Sequence, residues 1–125
     1  MLFDFLNEDD EWFDWSSSML TRAADEGDLV INPIIYAEVS VRHERLEDLD
    51  AALPDNSFIR APIPWEAAFL AGKAFAQYRR HRGAKRSPLP DFFIGAHAAV
   101  AGMTLLTRDA RRSRTCFPKL RVISP

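Results

Sequence analysis

The chain is 125 residues long, 47% hydrophobic and 27% charged, a composition that excludes a disordered polymer and suits one folded core. No apolar run approaches the roughly 20 residues needed to span a bilayer, no signal peptide is recognised before the first aromatic residues, and a single cysteine, Cys116, excludes an internal disulfide and fits a reducing cytoplasm. The net charge of −2 conceals a division, because residues 1–60 carry 15 acids against 4 bases and residues 61–125 carry 12 bases against 3 acids. Such a division gives either two solvated faces that attract one another or a basic second half that receives a polyanion.

Residues 2–15 read as a short helix with Leu2, Phe3, Leu6 and Phe13 on one side, set among Asp4, Glu8, Asp9, Asp10, Glu11 and Asp14. Ser16-Ser17-Ser18 offers caps for a second helix to about Glu26, and Gly27 closes it. Leu29-Val30-Ile31 is the apolar run of a parallel strand covered on both faces. Asn32-Pro33 comes next, with a capping side chain and the proline favoured at a first helical position. Ile34, Ala37, Val41 and Leu46 then recur at helical spacing, predicting one helix through about Leu53 with Arg42, Glu44, Arg45, Glu47 and Asp48 on its wet side.

Pro54-Asp55-Asn56 is a turn, and Phe58-Ile59-Arg60 a short edge strand. The next helix begins at Pro64-Trp65-Glu66, carries Ala67, Ala68, Leu70, Ala71, Ala74, Phe75 and Tyr78 as its apolar stripe, and ends in Arg79-Arg80-His81-Arg82-Gly83. A loop over residues 84–90 leads to a helix from Asp91 to Ala101, closed by Gly102. Met103–Leu106 and Arg121–Ser124 are the last strands. Strands alternating with helices over residues 1–125 predict a single α/β domain, with a parallel sheet flanked by helices in three α/β/α layers.

Three acids stand at boundaries of one kind: Glu38 in the second turn of a helix entered from a strand, Asp91 in a first helical turn, and Asp109 just past a strand. The crevice outside the carboxyl ends of a parallel sheet is where ligands bind. Carboxylates gathered there repel one another unless a cation joins them, and oxygen donors without cysteine or histidine suit Mg²⁺ or Mn²⁺ rather than zinc. With Arg79, Arg80, Arg82, Lys85, Arg86, Arg108, Arg111 and Arg112 around it, such a site suits metal-assisted cleavage of a phosphodiester. Taken singly, Asp91 also reads as a dipole partner, Asp109 as a turn former and Glu38 as an exposed helical glutamate. His43, His81 and His97 read as structural or solvated residues. No Gly-x-Gly-x-x-Gly or Walker loop is present, and the paired acids and late lysine of a phospho-receiver are lacking.

Asn32-Pro-Ile-Ile-Tyr-Ala-Glu38-Val, Pro90-Asp91-Phe-Phe-Ile-Gly-Ala-His-Ala and Leu105-Leu-Thr107-Arg-Asp109, in this order and spacing, resemble a PIN domain, and more narrowly the VapC-type toxins of toxin–antitoxin pairs. The resemblance runs the whole length and implies a cytoplasmic Mg²⁺- or Mn²⁺-dependent endoribonuclease whose metal is held by Glu38, Asp91 and Asp109. Thr107 would touch metal water or phosphate, or else cap its strand. The resemblance further implies an RNA substrate, a VapB-like antitoxin that brings an arginine to the acids, and a homodimer. Phe3, Phe5, Trp12 and Trp15 would be part core and part groove for the antitoxin.

PIN domains begin with a central strand that ends in an aspartate. Met1–Leu6 matches the family's segment just after that aspartate, so the sequence predicts that the first strand and first metal ligand are missing, with Asp4 on the first helix about a turn beyond the lost position. Without that ligand, the alternative function is an impaired module that binds antitoxin or RNA without cutting.

Overall fold

Leu29-Val30-Ile31 forms a strand in which three successive side chains are all buried. Successive residues of a strand point to opposite faces, so both faces of the sheet are covered there. A computed structural model describes residues 2–3, 28–55, 58–82, 89–107 and 111–124. Among these residues the strands are β1 (Leu2–Phe3), β2 (Leu29–Ile31), β3 (Phe58–Arg60), β4 (Leu105–Leu106) and β5 (Val122–Ile123). They make one parallel sheet in the order β3-β2-β1-β4-β5.

Strand β1 sits at the centre, with Leu2 opposite Val30 on one side and Leu105 on the other. This overturns the prediction that the central strand is missing and that residues 2–15 are one helix. Leu2-Phe3 is too short to carry a period, so nothing in the pattern separates it from a helix start. Asp4 is therefore the residue that comes directly after the central strand in sequence. Asp4, the predicted first helices and the aromatic residues Phe5, Trp12 and Trp15 lie outside the described residues.

Among the described residues the helices are α1 (Pro33–Ser40), α2 (Leu46–Ala52), α3 (Trp65–Arg82), α4 (Leu89–Ala101) and α5 (Arg111–Cys116). Asn32 caps α1 as its sequence predicts: its Oδ1 accepts the Ile35 N–H at 2.9 Å, and Pro33 takes the first turn. The predicted helix from 33 to 53 is two helices, however. Near the break, Ser40 Oγ donates to the Ala37 carbonyl at 2.6 Å and His43 Nδ1 lies 3.2 Å from the Val39 carbonyl oxygen; such local bonds compete with continued helix. The predicted stripe is also misphased, since Val41 and Leu46 are 84% and 62% exposed while Ile35, Leu49 and Leu53 are buried.

Among the described residues two clusters form the core. Residues of β2, Leu105 of β4 and Phe58 of β3 pack with Ile35, Leu49, Leu53, Ile94 and Ala98. Ala67, Ala71 and Ala74 of α3 pack with Phe92 and Ala96 of α4 and with Phe117. Phe92 is wholly buried, and Phe75 and Tyr78 each meet it edge-on at 5.4 Å between ring centroids. That anchors the first turn of α4, where Asp91 sits. At its other end α4 closes as the sequence predicts, with Gly102 at φ +68° and the Met103 N–H donating to the Ala98 carbonyl at 2.9 Å. Helix α5 has no counterpart among the elements predicted from sequence.

Candidate active site

In the order β3-β2-β1-β4-β5 the chain turns to opposite sides of β1, and the crevice at the carboxyl ends beside this switch point is where an open α/β sheet binds ligands. Asn32 stands at the end of β2 there, and Thr107 at the end of β4. Thr107 is buried, and its N–H donates to the Ile123 carbonyl at 3.1 Å, tying the β4 end to β5.

Glu38 lies in the second turn of α1 and Asp91 in the first turn of α4, and both are half-buried. Burial first, and then the charge of Asp91, hold the Glu38 carboxyl above its ordinary pKa of 4.5. Two acids 53 positions apart in the chain are thus brought within electrostatic reach. Glu38 Oε1 is buried and has no hydrogen-bond partner among the described residues. A buried carboxylate oxygen left in this state is costly, which makes it a ready donor to a cation.

Asn32, at the head of α1, and His97, on α4, are each 2% exposed. Asn32 Nδ2 is 3.0 Å from His97 Nδ1, and burial pushes the imidazole pKa below its usual 6.5. His97 is thus built into the interior, as its setting among small residues suggests. The sequence pattern does not predict the pairing; its one signal is a polar residue on the core-facing side of an alanine-rich helix.

Of the predicted site residues, Asp109 and Arg108 lie outside the described residues, as do Lys85, Arg86 and the side chains of Arg82, Arg111 and Arg112. Arg79 and Arg80 are exposed near the end of α3, with the Arg79 guanidinium carbon 5.7 Å from the Phe75 ring centroid. Among the described residues no three His, Cys, Asp or Glu gather in a metal-binding group; Glu38 and Asp91 are the acids brought together.

A separate network lies toward the β3 edge. Asp50 Oδ1 accepts from Tyr36 Oη at 2.7 Å and from Arg60 Nη2 at 3.0 Å. Those two bonds, Tyr36 first, hold the Asp50 pKa below its usual value. The Arg60 guanidinium also lies over the Tyr36 ring, 5.1 Å from its centroid. Beside it is a cavity of about 380 Å³ lined by Ile31, Asn32, Pro33, Tyr36, Arg60, Ala61 and Pro62.

The family model of the PIN domain matches residues 1–118. The chain belongs to the PIN domain family. This PIN domain is similar in fold to several solved structures. VapBC2 from Rickettsia felis, bound to a DNA fragment from its promoter, is 17% identical, with a TM-score of 0.68 over 99% of this chain and 98% of that one. VapBC-1 from nontypeable Haemophilus influenzae is 15% identical, with a TM-score of 0.69 over 99% and 98%. A toxin–antitoxin complex from Klebsiella pneumoniae is 21% identical, with a TM-score of 0.64 over 99% and 96%. Comparison with curated proteins gave no match.

Proposed function

We propose that this PIN domain is a divalent-metal-dependent endoribonuclease toxin of the VapC kind, a single domain of residues 1–125 working in the cytoplasm. The observation that carries the reading is the pair of approaching carboxylates, Glu38 and Asp91, with Glu38 Oε1 buried and unpartnered among the described residues. This donor set fits a hard cation, because it offers carboxylate oxygens and no thiolate. Glu38 and Asp91 would hold Mg²⁺ or Mn²⁺ together with Asp109. Asp4, directly after β1 in sequence, joins this set as the aspartate expected at the end of the central strand. When bound, the cation supplies Lewis-acid neutralisation of phosphate charge and a more acidic water.

The remaining roles belong to the chain itself. Glu38 and Asp91 orient the reacting centre from two helices, and Thr107 lends a polar group at the β4 end. Arg79, Arg80, Arg82, Lys85, Arg86, Arg108, Arg111 and Arg112 would draw the RNA backbone toward the acids. The proposed partners are a VapB-like antitoxin and a second copy of the chain. Support for the antitoxin is fold similarity to proteins solved as toxin–antitoxin complexes. Support for a location free of the membrane is that no helix among the described residues is long and apolar enough to cross one. The impaired binding module loses its motive, since it rested on a missing central strand and β1 holds that place.

The test is cleavage of a mixed-sequence RNA by the purified chain with Mg²⁺ or Mn²⁺ and with EDTA. Metal-dependent cutting that falls at least about 100-fold in Asp91→Asn is expected. Cutting that persists in EDTA or in Asp91→Asn refutes the proposal.

A further inference from the structure

Helix α1 is eight residues long, and Ile35 is its one fully buried residue. Ile34, Tyr36 and Val39 pack partly buried against the same core, and for a shared cation Glu38 must also keep one position against Asp91 on α4. Asn32, at the head of α1, supplies a direct polar tie to α4. Its Oδ1 is occupied by the Ile35 N–H at 2.9 Å, which fixes which end of the amide is oxygen. The nitrogen end therefore faces His97 Nδ1 at 3.0 Å. An amide nitrogen only donates, so Nδ1 is the acceptor and the imidazole proton resides on Nε2. The lowered pKa of the buried ring agrees with a neutral acceptor.

The bonded pair and the acids are arranged in matching fashion. Asn32 stands six residues before Glu38 on one helix, and His97 six residues after Asp91 on the other. Six helical positions span about 9 Å, close enough for a bond at one level to set helix orientation at the next.

We infer that the buried Asn32–His97 hydrogen bond is a positioning device that locks α1 against α4 and so holds Glu38 and Asp91 at one cation. The inference rests on the proposal that these acids bind metal. It assigns Asn32 two tasks, capping α1 and pinning it, and gives His97 a role through Asn32 rather than at the reacting atoms.

Three variants of the full chain separate these tasks. Asn32→Ser keeps a helix cap but its hydroxyl is too short to reach α4. His97→Leu keeps volume and removes the acceptor. His97→Asn restores an acceptor oxygen close to the place of Nδ1. Mn²⁺ affinity is measured by titration calorimetry at a temperature where circular dichroism shows each variant folded. Asn32→Ser and His97→Leu are expected to bind Mn²⁺ about 10–100-fold more weakly, the double variant no more weakly than the worse single, and His97→Asn close to wild type. Folded single variants that bind Mn²⁺ like a normally binding wild type overturn this inference alone. A wild type that takes no Mn²⁺ overturns the metal proposal and this inference together. Independently of metal, ¹⁵N NMR is expected to place the His97 proton on Nε2, and a proton on Nδ1 overturns the inference.

Discussion

Replacing Glu38 exposes a conflict between stability and metal binding. Its Oε1 is buried without a partner among the described residues, and an unsatisfied buried polar atom costs about 1–3 kcal/mol. Methionine has nearly the same length and removes both the charge and the orphaned oxygen. Glu38→Met should therefore stabilise the metal-free chain at pH 7 by about 1–3 kcal/mol, a rise in Tm of about 3–6 °C per kcal/mol for a chain of this size. Glu38→Gln removes only the charge and should fall between.

The pH dependence has a definite sign. The folded pKa of Glu38 is raised above 4.5 by burial and then by Asp91, so the fold favours the protonated acid. That stability is complete below the unfolded pKa and is lost as pH rises through the folded one. The Tm difference between Glu38→Gln and wild type should be near zero below about pH 4.5 and open at higher pH. Scanning calorimetry in EDTA from pH 4 to pH 8 measures it. Mn²⁺ at 100 times its Kd should then add about 2.7 kcal/mol to wild type and much less to either variant. A metal-free Glu38→Met less stable than wild type at pH 7, or a Gln difference that ignores pH, would show that the buried Glu38 carboxylate does not destabilise the fold.

Other sites give simpler tests. Gly95→Ala gains about 1 kcal/mol of helix propensity, but its Cβ would lie 2.7 Å from Phe117 Cε2 and overpacking costs about 1–3 kcal/mol. Urea unfolding should show a net loss, and Gly95→Ala with Phe117→Leu should cost less than the two singles summed. Phe92→Ala removes a wholly buried ring and should cost about 3–5 kcal/mol, a large part of the about 5–15 kcal/mol a domain holds; chemical denaturation would show it as a sharply lowered midpoint. Arg60→Ala breaks ion pairs to Asp50 and Asp55 that are largely exposed, so its cost should stay below about 1 kcal/mol per pair and shrink between 0.05 M and 1 M salt. A larger, salt-independent loss would mean that Arg60 acts chiefly by packing on Tyr36.

The features legible in the sequence are local. Leu29-Val30-Ile31 announces a strand covered on both faces, Asn32-Pro33 announces the helix behind it, and Gly102 its own turn, because run composition and cap chemistry act within a few residues. The approach of Glu38 to Asp91 is implied by their places at element boundaries and by the family resemblance. Leu2-Phe3 reads as part of a helix because two residues have no period. The misphased stripe places Val41 and Leu46 inside because helical spacing says nothing about a break at residues 41–45. Helix α5, Arg111–Cys116, is short and mostly polar, so it offers no apolar face to detect. The Asn32–His97 bond joins residues 65 positions apart, and nothing in either segment names its partner.

The most direct measurement is anomalous diffraction from crystals of the chain grown with Mn²⁺. One ion is expected between α1 and α4, with carboxylate oxygens from the set Asp4, Glu38, Asp91 and Asp109 at about 2–2.5 Å from it. An ion held elsewhere, or Glu38 and Asp91 left without one at saturating Mn²⁺, would contradict that expectation.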